Sequence, residues 1–198
     1  MTTLGKRERT KQANRAAILD AARDVFADLG YGAATVRDIV RRTDLATGTF
    51  YNYFPDKESV LRAVVEESVA EARARVRAAR RSGRTLEEFV RDGFQAYFEY
   101  LVEDRRDFEL LRRNAGTIRA LFSEPTLVAG VEELAEDLRD GIAAGVVPPH
   151  DTEWMAAAMV GTGFEVGVRM LDRGEDSLDA AVEFVTGLFL GGLRTLAH

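Results

Sequence analysis

Residues 35–54 read TVRDIVRRTDLATGTFYNYF, and this stretch decides the fold. Thr35 and Asp38 have the Ser/Thr-x-x-acid spacing of a capping box, in which hydroxyl and carboxylate each accept a backbone N–H. A helix therefore starts at Thr35. Val36, Ile39 and Val40 recur at helical spacing and give it one apolar face. Polar residues around Asp44 break that pattern. A second short helix is predicted from Thr47 to Tyr53, and Pro55 stops it. A helix of about two turns is marginal alone in water, so neighbours must hold it. Thr47, Thr49, Tyr51 and Asn52 carry hydroxyls and an amide that suit phosphates and base edges. An ordinary helical hairpin inside a core is the alternative reading of this stretch.

The flanks extend the helical pattern. Ile18, Ala22, Val25, Phe26 and Leu29 form one stripe, predicting a helix over 11–29 that Gly30 ends. Residues 1–10 hold Lys6, Arg7 and Arg9 without an apolar pattern and read as a basic arm. Downstream, Asp56 is the expected cap of a long helix to Arg81, with Leu61, Val64, Val65, Ser68, Val69, Ala72 and Val76 as its stripe. At 1.5 Å per residue it is roughly 37 Å long. Lys57 lies in its first turn, where ammonium and free amides suit a phosphate. Arg73, Arg75, Arg77, Arg80 and Arg81 read as a solvated face, and Arg15 as either solvated or within reach of a phosphate.

The remainder is read as helical throughout. Thr85 and Glu88 repeat the capping-box spacing, followed by the stripe Leu86, Val90, Gly93, Phe94, Tyr97 and Leu101. A helix over 105–122 carries Phe108, Leu111, Ala115, Ile118 and Phe122. Another is predicted from Pro125 to about Gly145, and Pro148-Pro149 make a corner. Two last helices, 152–173 and 177–196, join through Gly174-Glu175-Asp176. Gly161, Gly163, Gly167, Gly187, Gly191 and Gly192 lie within them. Each interior glycine costs about 1 kcal/mol against alanine, which close helix–helix approach offsets. The fold class is thus all-α, with a head over 11–60, its helix-turn-helix at 35–54, and a helical domain over 61–198.

The chain of 198 residues is long enough to bury a substantial core, and it has no cysteine. That excludes disulfides, thiol catalysis and cysteine-bound zinc. The net charge of −6 divides unevenly: residues 1–81 sum to +5 and residues 82–198 to −11. Such asymmetry fits a nucleic-acid-facing end and an acidic body. The N-terminus has no apolar signal region, and no apolar run approaches the ~20 residues of a membrane span, so a cytoplasmic protein is expected. His150 and His198 make no metal spacing, no serine lies in a G-x-S-x-G elbow, and no Gly-rich phosphate loop follows a strand. Neither an enzyme nor a bound cofactor or metal is expected.

Three segments carry a family resemblance: ILDAARDVFADLGY, TVRDIVRRTDL and TGTFYNYFPDKESVL. Together they resemble the DNA-binding domain of the tetracycline-repressor (TetR) family of bacterial regulators. The run Gly48 to Phe54 followed by Lys57-Glu58 is the most specific part. The chain departs from the pattern at Ala46, where the family usually has a capping hydroxyl, and at Thr47, where it often has Lys or Arg. Thr47 is the expected substitute cap.

The resemblance implies a homodimeric, ligand-responsive regulator, a repressor of a palindromic operator in double-stranded DNA. Thr35, Tyr51, Tyr53 and Lys57 are expected on the DNA backbone, Thr47, Thr49 and Asn52 at base edges, and Gly48 on the same DNA-binding surface. It also implies a small apolar or amphipathic effector in the second domain. Phe94, Tyr97, Phe98, Phe108, Asn114, Thr117, Trp154, Thr162 and Glu165 are the pocket candidates. The last two helices are expected to pair with their partner copies, using Gly163, Gly167, Val182, Val185 and Phe189. The rival reading is a helical small-molecule-binding or scaffolding protein that does not read DNA.

Overall fold

Apolar residues at helical spacing become ten helices in the computed structural model, which describes residues 5–121, 125–173 and 177–196. They are α1 (Lys6–Ala33), α2 (Val36–Val40), α3 (Thr47–Tyr51), α4 (Lys57–Ser82), α5 (Leu86–Glu103), α6 (Arg105–Arg113), α7 (Ala115–Leu121), α8 (Pro125–Ala143), α9 (Thr152–Arg173) and α10 (Leu178–Leu196). There is no strand among the described residues, and none of their helices is long and apolar enough to cross a membrane. Two compact units emerge. The first is 1–68 with 106–123, and the second is 69–105 with 124–198.

The first unit buries the apolar stripe of α1, with Ile18, Leu19, Val25 and Phe26, against Ile39, Phe50, Phe54, Val60, Leu61 and Val64. Two features differ from the pattern read in the sequence. α1 already begins at Lys6, so Lys6, Arg7 and Arg9 occupy its first turns; Met1 to Leu4 lie outside the described residues. The helix expected over 105–122 breaks at Asn114 into α6 and α7. The Asn114 side chain there donates to the Leu110 carbonyl and reaches α1, which a continuous apolar stripe does not foretell. Phe122 lies outside the described residues. Gly30 interrupts α1 as expected, at φ +74° and ψ 158°, a conformation that favours glycine.

In the second unit α5 packs on α10 and α9, and α8 packs on α9. Thr85 and Glu88 form the expected capping box at the start of α5. Phe94 of α5 stacks on Phe189 of α10 with centroids 5.5 Å apart. A Cβ at Gly167 would stand 2.5 Å from Leu101 Cδ1, and one at Gly163 3.2 Å from Phe94 Cε1. These two glycines therefore let α5 and α9 approach closely. Arg80 and Arg73, read as solvated, are engaged inside this unit. Arg80 pairs with Asp137 at 2.7 Å with both side chains buried, and the half-buried Arg73 pairs with Glu133. α8 supplies these carboxylates, and periodicity within α4 cannot reveal them. The connection Gly174-Glu175-Asp176 lies outside the described residues.

Candidate nucleic-acid interface

The start of α2 is tied by a capping box. Asp38 N–H donates to Thr35 Oγ1 at 3.2 Å, and Thr35 N–H donates to Asp38 Oδ2 at 3.0 Å. The Thr35 hydroxyl donates to the same carboxylate at 2.5 Å. That hydroxyl first, and the Thr35 amide second, hold the Asp38 carboxyl below its ordinary value. The cap thus sets where α2 begins and turns Ile39 into the core.

α3 is anchored by one fully buried residue, Phe50. Tyr51 meets the Phe50 ring edge-on at 5.4 Å, and Phe54 lies 6.2 Å from it. With Phe50 inward, Thr47, Gly48, Tyr51 and Asn52 are exposed, and Thr49 and Tyr53 are half-buried. A Cβ at Gly48 would meet nothing within 4 Å, so nothing within the chain requires glycine there. Ala46 is the N-cap residue, Thr47 is the first helical residue, and no side chain caps this end. Thr47 therefore does not replace the missing cap: a side chain inside the helix has passed the position from which it reaches the N2 or N3 amide.

Lys57 has a structural engagement. Its Nζ donates to the carbonyls of Tyr31 at 2.8 Å and Ala34 at 2.9 Å, and stands 4.3 Å from the Tyr31 ring centroid. Two of its three donors tie the α1–α2 corner, and one is left. Ala34, Thr35, Val36, Arg37, Thr47, Tyr51 and Lys57 line an open hollow of about 470 Å³. Arg37 joins this site although sequence reasoning passed over it. In a helix of five residues, periodicity does not tell which side faces α3.

Arg15 and Arg23 of this unit are engaged in ion pairs. Arg15 pairs with Glu67 at 2.8 Å, and Arg23 bridges Glu67 at 2.9 Å and the buried Asp107 at 3.1 Å. Ser68 donates to Asp107 at 2.5 Å. Burial raises the Glu67 pKa, but the hydrogen bonds from Arg15 and Arg23 outweigh it and leave it lowered.

The pocket candidates fall into separate places. Phe108, Asn114 and Thr117 are in the first unit. Asn114 is 3% exposed, and its amide is spent on Tyr31 N–H, the Phe26 carbonyl and the Leu110 carbonyl. Phe94, Tyr97 and Phe98 line α5 in the second unit, and burial raises the Tyr97 phenol above its usual range. Thr162 is half-buried, Glu165 is exposed, and Trp154 is 79% exposed. The five interface candidates Gly163, Gly167, Val182, Val185 and Phe189 all face the interior of their own protomer. The outer side of the same helices carries Trp154, Ala157, Gly161, Phe184, Gly187, Leu188 and Gly191 exposed. A Cβ at Gly161, Gly187 or Gly191 would meet nothing within 4 Å.

Residues 18–64 match the model of the tetR family of bacterial regulatory proteins. The whole chain is similar to the fatty acid degradation regulator FadR from Bacillus halodurans. The two are 27% identical with TM-score 0.80, covering 98% of this chain and 99% of that one. A TetR-family transcriptional regulator from Pectobacterium atrosepticum is 26% identical, with TM-score 0.65 over 98% and 97% of the two chains. The fold is also that of FadR from Bacillus subtilis in complex with stearoyl-CoA, at 21% identity and TM-score 0.68 over 86% and 97%. Residues 18–64, which hold the helix-turn-helix at 35–54, are thus a DNA-binding segment of the tetR family of bacterial regulatory proteins, set in a chain with the all-α architecture of these regulators.

Proposed function

We propose that the chain is a homodimeric, effector-released repressor that reads a palindromic operator. The observation that carries the DNA-binding surface is the exposed side of α3 next to the 470 Å³ hollow. It brings Thr35, Arg37, Thr47, Gly48, Tyr51, Asn52 and the remaining Lys57 donor to one surface of the first unit. Thr47, Thr49 and Asn52 address base edges. Thr35, Arg37, Tyr51, Tyr53 and Lys57 hold phosphates, which positions the helix without selecting sequence. The open Gly48 leaves backbone free to approach the duplex.

The second copy covers the outer stripe of α9 and α10. Trp154, Phe184 and Leu188 are 79%, 62% and 51% exposed, and open glycines lie between them. Large apolar side chains interleaved with small ones suit close packing of two helices on two helices. Paired heads then address half-sites about one helical turn apart, roughly 34 Å.

The effector we infer is a fatty acyl compound. Support comes from the similarity along nearly the full chain to a fatty acid degradation regulator and from the aromatic interior of the second unit. Phe94 and Phe98 offer apolar surface, and Tyr97 with Thr162 the polar groups that orient a ligand. The effector acts only through its differential affinity for DNA-competent and incompetent conformers.

Selection of duplexes from a random pool by the purified protein tests the reading. A palindrome with half-sites one turn apart, released by a long-chain acyl thioester, is the expected result. Failure to enrich any sequence, with binding that does not weaken as salt rises, would overturn the DNA-reading role.

A further inference from the structure

We propose that Asn114, outside the family-matched segment 18–64, is a positioning residue of the DNA-contacting surface. It fixes the corner between α1 and α2 on which the helix-turn-helix is mounted. This rests on the DNA-binding reading of that surface, and adds a residue that makes no contact with the duplex.

With φ at +74° at Gly30, α1 breaks there, and the backbone on either side needs partners from outside the helix. Asn114 reaches both sides. Its Nδ2 donates to the Phe26 carbonyl at 3.0 Å, before the break, and its Oδ1 accepts Tyr31 N–H at 2.6 Å, after it. The second Nδ2 hydrogen goes to Leu110 O at 2.7 Å, which holds the amide in one orientation. Next to it, Arg113 donates to Asp28 O at 2.7 Å. Two consecutive side chains at the α6–α7 junction thus clasp the end of α1.

From Tyr31 the constraint passes onward through one peptide group. The Tyr31 N–H is held by Asn114, and the Tyr31 carbonyl by Lys57, which also holds the Ala34 carbonyl. The next residue is Thr35, the cap of α2. Every bond in this path is between groups that are buried or partly buried, where an unmade hydrogen bond is costly. The path ends on three residues that line the hollow: Ala34, Thr35 and Lys57.

The test uses the full chain, its Asn114→Leu variant, and hydrogen exchange read residue by residue. In the wild type, the Tyr31 amide should be protected like those of Val25 and Phe26. In the variant, exchange over 31–40 should speed by about tenfold or more while peptides of α9 keep wild-type rates. A labelled random-sequence duplex, titrated at temperatures where both proteins are folded, reports the surface. The variant should bind about tenfold more weakly and with a shallower salt slope, because fewer phosphates are reached. A wild-type Tyr31 amide that exchanges like a free peptide overturns the proposal, even if Asn114→Leu does not fold. So does a variant with unchanged exchange, or one with a loosened corner and full affinity. If the wild type binds no duplex at all, the DNA-reading role fails, and the exchange data still decide whether Asn114 holds the corner.

Discussion

Phe184→Ser is the sharpest probe of the outer face of α10. Phe184 is 62% exposed, and a phenylalanine side chain can bury roughly 200 Å², so about 120 Å² of each copy stands in water. At about 25 cal/mol per Å² that area is worth about 3 kcal/mol per copy, or about 6 kcal/mol for the two copies in a dimer. Incomplete burial and the ordering of side chains at the interface roughly halve this, leaving about 3 kcal/mol. The dimer dissociation constant should then rise by about two orders of magnitude. Sedimentation equilibrium over a dilution series measures it. Because most of the Phe184 side chain stands outside its own protomer's core, the helical content should not change. Phe189→Ser is the contrasting case. Phe189 is buried and stacked on Phe94, so its loss should cost about 3–5 kcal/mol of folding stability. If Phe184→Ser dimerises within about threefold of wild type, the outer stripe is not the interface.

Three further outcomes are expected. Tyr51→Ala should weaken binding to all duplexes alike in fluorescence anisotropy, whereas Asn52→Ala should change which sequences a random-pool selection recovers. Asp137→Asn should lower stability by about 3–5 kcal/mol in denaturant unfolding, because Arg80 stays buried without its charge partner. Glu67 has a lowered folded pKa, so its ion pairs stabilise the first unit above the ordinary carboxyl value of 4.5, and that stability is lost as pH falls through the folded value. The melting temperatures of wild type and Glu67→Gln should therefore differ at neutral pH and converge in acid.

Much of the fold was legible because its signals are local. The Thr35/Asp38 and Thr85/Glu88 boxes need only three residues of separation, and both form as read. Gly30 and the Asp56 cap, whose carboxylate accepts Ser59 N–H at 2.8 Å, are equally local. What the sequence concealed depends on partners far along the chain. Lys57 reads as a free cation until Tyr31 and Ala34 are brought beneath it. Asn114 reads as a pocket amide until two bonds to the end of α1 and one to Leu110 engage it. The glycines of α9 and α10 read as one set, yet Gly163 and Gly167 admit α5 while Gly161, Gly187 and Gly191 open outward. Composition cannot separate those two uses, since both need only a missing Cβ.

The discontinuous make-up of the first unit bears on how regulators of this kind are recombined. A chimera cut after residue 64 would carry the matched segment but leave its supports behind. Arg23 would lose Asp107, and the carbonyl of Phe26 and the amide of Tyr31 would lose Asn114. A head transplanted in this way would bury unpaired polar groups unless the new body happened to supply an asparagine and an aspartate at matching places. Grafts should keep 106–123 with the head, and exchange only 69–105 and 124–198. By the same logic, drift in 106–123 is constrained by the residues of 1–68 that it braces. Within these 198 residues the unit of inheritance is a head with its own distant brace.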